Sequence, residues 1–98
     1  MRYFAVTEEH GPAWDDSLPM RQQAGWDQHA EFMEGLVEEG FVVLGGPLGE
    51  GHSVLLVVDA ETEDAVRAGL AADPWMRMGL LRVAEVTPWE ILLGGSAD

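Results

Sequence analysis

Ninety-eight residues suffice for one hydrophobic core and leave no room for a second, so one domain over residues 1–98 is expected. Eighteen acidic residues against five arginines and no lysine give a formal charge of −13, which disfavours nucleic-acid and anionic-membrane partners. The absence of cysteine removes disulfides, thiolate metal ligands and thiol nucleophiles together.

In chain order, Tyr3 to Thr7 is β-branched and aromatic and predicts a first strand. Its flanks lack the long apolar core of a signal peptide, and the longest apolar run, Val54 to Val58, is too short to cross a bilayer. A cytoplasmic protein is the expectation. Residues 8–19 are rich in polar and turn-forming residues and read as a long loop.

From about Met20 the pattern turns helical. Trp26, His29, Met33, Leu36 and Val37 share one face of a 3.6-residue period, widened by Phe32, and Gly40 is a stop signal. Phe41 to Leu44 predicts a strand broken by Gly45-Gly46-Pro47, and Ser53 to Val58 another. Asp59 or Thr62 can cap a second helix with Ala65, Val66, Gly69 and Leu70 inward, ending near Ala72 ahead of Pro74. A last extended stretch runs from about Leu80 to Leu93, interrupted at Pro88, and residues 94–98 are expected to form a loose tail.

The order strand, helix, strand, strand, helix, strand is the βαββαβ pattern of an α+β, ferredoxin-like fold, an antiparallel sheet with helices on one face. The other face needs a cover, and a second copy of the chain, giving a homodimer, is the expected one.

His29 on the first helix and Asp73 after the second are the one plausible His–carboxylate couple on ordered elements. Imidazole titrates nearest neutral pH of the side chains, and a carboxylate on one ring nitrogen fixes the tautomer and frees the other as acid or base. The competing roles are bland: an inward core histidine, and an aspartate capping a turn before proline. Trp26 and Trp75, with Met33 and Pro47, are candidate walls of an apolar substrate pocket, and Trp89 reads rather as core or interface. His10, His29 and His52 lack close zinc-ligand spacing, so no metal is expected. The Gly45 to Gly49 run has neither a following helix nor a lysine, which rejects a phosphate loop. Ser17, Ser53 and Ser96 lack a nucleophile-elbow context.

Four pieces in order resemble the YCII-related (YciI-like) family: Trp26-x-x-His29-x-x-Phe32-Met33 with Gly40, then Gly46-Pro47-Leu48, then Asp73-Pro74-Trp75 with Gly79-Leu80, and Pro88-Trp89. The resemblance runs from Tyr3 to about Leu93. It implies ferredoxin-like protomers in a dimeric α/β-barrel-type assembly, and a His29–Asp73 active-site pair. One branch of that family contains a dehydrochlorinase acting on a chlorinated hydroxyquinol. An arginine often stands just upstream of the family histidine, whereas here Arg21 lies eight residues away at another helical phase. The function expected is a cofactor-free enzyme moving a proton on a small organic substrate by lyase, isomerase or dehalogenation chemistry. The alternative is a non-catalytic dimeric module that binds a small ligand or a protein, with His29 and Asp73 as a structural tie. Access to the second imidazole nitrogen discriminates between them.

Overall fold

The computed structural model describes residues 2–94. Strand β1 (Tyr3–His10) is central, and alternation puts Phe4, Val6 and Glu8 on its buried side. It runs three residues beyond the predicted end, because Glu8, Glu9 and His10 keep pairing with β4 (Leu81–Trp89), and Glu8 and Glu9 with β3 (Ser53–Asp59). The predicted loop therefore begins at Gly11 rather than Glu8.

The sheet order is β2-β3-β1-β4, and every neighbouring pair is antiparallel. This is the ferredoxin-like α+β arrangement that the element order predicted. Leu36 from helix α1 (Trp26–Glu38) and Val66 and Leu70 from helix α2 (Glu63–Ala71) close the core over Phe4, Val6, Leu56 and Val58. Thr62 caps α2 by accepting from the Ala65 N–H at 3.0 Å, a contact worth about 1 kcal/mol.

Several boundaries move for physical reasons. Met20–Gln22 is a separate 3-10 turn, and Gly25, at φ 74°, ends the irregular segment so that α1 starts at Trp26. Strand β2 (Val42–Leu48) passes through Gly45-Gly46-Pro47 instead of breaking there. It is an edge strand, where proline is tolerated, and an extra residue at Val43 bends it. Pro88 likewise lies within edge strand β4, which ends at Trp89 and not Leu93. Asp73 and Pro74 open a short helix α3 (Pro74–Arg77) that is not among the predicted elements. Ala65 is exposed on α2 rather than inward, and Val37 is 54% exposed. Of the expected tail, residues 95–98 lie outside the described residues.

Among the described residues the helices occupy one face of the sheet. The other face carries Ala5, Leu44, Leu48, Leu55, Val57 and Trp89, as the strand registers dictate. Leu44, Leu48 and Trp89 are exposed there.

Candidate active site

The apolar stripe of α1 divides. Leu36 goes into the core, while Trp26, His29, Met33 and Val37 form one wall of a cavity of about 530 Å³, within the size range of small-molecule sites. The inner face of the sheet supplies the floor, including Glu8, Pro47, Val54 and Leu56. A residue inserted in β4 shifts its register between Thr7 and Glu8, which sets Val83 opposite Glu8 and Leu81 opposite His10. The segment after β1 forms the far wall. Gln23 holds it, accepting from the Asp15 N–H at 3.0 Å and donating to the Asp15 and Leu18 carbonyls at 2.7 and 3.0 Å.

The structure brings His29 and Asp73 together. Both Asp73 carboxylate oxygens lie 2.9 Å from His29 Nδ1. Carboxylate oxygens accept, so Nδ1 carries the hydrogen. Asp73 is fully buried, and its Oδ1 also accepts the Trp75 N–H at 2.9 Å as the N-cap of α3. Proline at the first helical position completes that start signal. The remaining imidazole nitrogen, Nε2, makes no hydrogen bond to the described residues and is not sealed off from solvent. His29 lines the cavity; Asp73 stands behind it.

Trp75 is the centre of the aromatic wall. Its ring stacks on the His29 imidazole with centroids 3.9 Å apart, meets Trp14 edge-on at 5.5 Å and Trp26 at 5.7 Å. Its indole N–H donates to the Ala24 carbonyl at 2.7 Å, so neither ring nor backbone is free to swing. The candidate wall residues Trp26, Met33, Pro47 and Trp75 all line the same cavity. Trp89 stays apart from it, on the open face of the sheet.

Two contributors were missed in the sequence, Trp14 and Glu8, while His10, expected in a loop, ends β1. Trp14, in the polar segment, stacks on His10 with centroids 3.7 Å apart; a lone tryptophan among turn formers was the signal. Burial pushes the His10 imidazole below its ordinary value, against an upward pull from Asp16, with His52 adding to the fall. Glu8 matters most. It is 1% exposed and lines the cavity. Its Oε2 is the one buried side-chain polar atom among the described residues without a hydrogen-bond partner. Burial first, and the Asp73 carboxylate second, raise its carboxyl from 4.5 to about 7. Extending the Phe4–Val6 alternation by one step would have found it. Among the described residues no group of His, Asp and Glu side chains is arranged to hold a metal ion.

Fold and site together define a small ferredoxin-like α+β protein with a His–carboxylate pair at an aromatic cavity. The chain belongs to the YCII-related domain family, which matches residues 1–90. Among solved structures it is similar to 5-chloro-2-hydroxyhydroquinone dehydrochlorinase (TftG) from Burkholderia phenoliruptrix, in complex with 2,5-dihydroxybenzoquinone. The TM-score is 0.63 at 25% sequence identity, covering 94% of this chain and 95% of that one. No curated protein matches the chain.

Proposed function

We propose that the chain is a cofactor-free enzyme that moves a proton on a small, partly apolar organic molecule, with His29 as base or acid and Asp73 as its orienting partner. The observation that carries this reading is the asymmetry of the imidazole: Nδ1 is held by Asp73 at 2.9 Å, while Nε2 is unbonded on a residue that lines the cavity. The Nε2 lone pair takes a proton from a ligand C–H or O–H, and the imidazolium so formed faces the Asp73 carboxylate. The proton then returns at another atom in an isomerisation. In a lyase or dehalogenation step, the electron pair released instead expels a leaving group such as chloride. The similarity to a dehydrochlorinase supports the last variant.

The same reading includes a homodimer, with a second copy covering the apolar open face of the sheet, and a cytoplasmic location. No helix among the described residues is long and apolar enough to cross a membrane.

The test is His29→Gln with chlorinated hydroquinones, other phenols and lactones as substrates, following product and chloride release. The expected result is turnover reduced by about 10²- to 10⁴-fold with a modest change in melting temperature. A second reading rests on Asp73 capping α3 while holding α1 through His29, which makes the pair a structural tie. In that case His29→Gln melts well below the wild type, and no substrate is turned over by either protein.

A further inference from the structure

The cavity is rich in acid and has no strong base. Glu8 lies in its floor, and the exposed residues Asp16, Glu34 and Glu50 stand around its rim. None of the five arginines lines it. Arg21 instead lies over the Trp26 ring, its guanidinium carbon 5.6 Å from the centroid. The aromatic wall adds to this bias, since indole faces present negative potential and attract cations. An anion entering here would meet four carboxyl groups, with the histidines His10, His29 and His52 but no lysine or arginine to offset them.

Glu8 turns a general bias into a specific site. A buried carboxyl oxygen with no donor has lost its water and gained nothing in exchange. A ligand N–H that meets the Glu8 carboxyl from the cavity, with a small turn of the side chain because Oε2 itself is closed to solvent, supplies the missing partner. If the N–H belongs to an ammonium, it also supplies the charge that lets the carboxylate persist in a buried place.

We propose, on the reading of this cavity as the small-molecule site, that its ligand is a small arylalkylamine bound as the ammonium. The ring packs against Trp14 and Trp26, and an N–H is donated to the Glu8 carboxyl. The amine is then the group that places the rest of the molecule against His29. Without it, Glu8, raised to about 7, avoids a buried charge by holding a proton.

Isothermal titration with 2-phenylethylamine, 2-phenylethanol and phenylacetate, matched in shape and different in charge, tests this in the full chain. The amine binds about ten- to a hundredfold more tightly than the alcohol, the range for a hydrogen bond to a charged group, and phenylacetate binds most weakly. In Glu8→Gln the amine falls to the level of the alcohol. Asp64→Asn removes an equal charge from an exposed residue outside the cavity and leaves the ranking unchanged, which separates the site from the general field of the chain. The proposal is overturned if the alcohol or the acid binds as tightly as the amine, or if a folded Glu8→Gln keeps the amine preference. Should Glu8→Gln fail to fold, the wild-type ranking decides alone. Binding of the alcohol or acid in preference to the amine overturns the ligand class and spares the enzyme reading. No binding by any of the three at millimolar concentration overturns both.

Discussion

Replacing Glu8 by glutamine measures what it costs the fold to keep a carboxyl in the cavity floor. In the folded state the carboxyl is raised from 4.5 to about 7, by burial and then by Asp73; unfolding returns it to the ordinary value. A carboxyl with the higher value in the folded state contributes stability while pH is below the unfolded value. That contribution is lost as pH rises through about 7. At 1.36 kcal/mol per pH unit, the rise corresponds to about 3 kcal/mol, most of it lost between about pH 5 and pH 8. Glutamine has nearly the same shape and no proton to lose, so its effect on packing is independent of pH. The quantity to follow is therefore the difference between the two proteins, from urea melts at several pH values. Wild type loses about 3 kcal/mol relative to Glu8→Gln across that window, or roughly 10–20 °C in melting temperature for a domain of this size. Parallel stability curves for the two proteins would refute the argument, because they would mean that Glu8 titrates alike in the folded and unfolded chains.

Asp73→Asn keeps an oxygen for the Trp75 N–H, which leaves its amide nitrogen against His29 Nδ1. Two donors cannot face each other, so the imidazole proton moves to Nε2, visible as a change of tautomer in ¹⁵N NMR, and turnover falls by about 10²- to 10⁴-fold. The same variant removes one cause of the raised Glu8 value. A ¹³C carboxyl titration shows it moving down without reaching 4.5, since burial remains; an unmoved Glu8 would contradict the coupling. Leu44→Glu puts a charge on the open sheet face, where Leu44 is 68% exposed. The expected result is a wild type that sediments as a dimer and a variant that sediments as a monomer, and a monomeric wild type would remove the case for the proposed dimer.

The His29–Asp73 contact was legible because each residue lies on an element with a readable signal: the 3.6-residue stripe of α1, and the Asp-Pro pair at the end of α2. Legibility failed where polarity was read ahead of period. Glu8 and Glu9 look like the start of a loop, yet the backbone of β1 goes on pairing on both sides. Two-residue alternation then carries Glu8 inward behind Phe4 and Val6. Gly45-Gly46-Pro47 looks like a break for a similar reason. The pattern does not reveal that β2 is an edge strand, and only there does proline cost no ladder bond. Helix α3 was hidden because Asp73-Pro74 serves equally as a turn or as a cap followed by proline at the first helical position. The stripe of α1 is one face, as its period predicts, but periodicity cannot say that Leu36 meets core, Met33 both core and cavity, and Val37 the cavity. That division depends on how far the sheet extends beneath the helix.

Two buried carboxyls share this site, and the difference between them follows from their donors. Asp73 faces the imidazole N–H and a backbone N–H, so its charge is met from two sides. Glu8 Oε2 faces no donor, and the Asp73 charge acts on it without compensation. Burial, with the Asp73 charge beside it, therefore holds the Glu8 carboxyl up at about 7. This division of labour lets Asp73 fix the imidazole while Glu8 remains open to exchange its proton for a ligand donor. Were Glu8 bonded to the protein, the floor of the cavity would be inert. Were Asp73 unbonded, the imidazole would have no fixed tautomer with which to act.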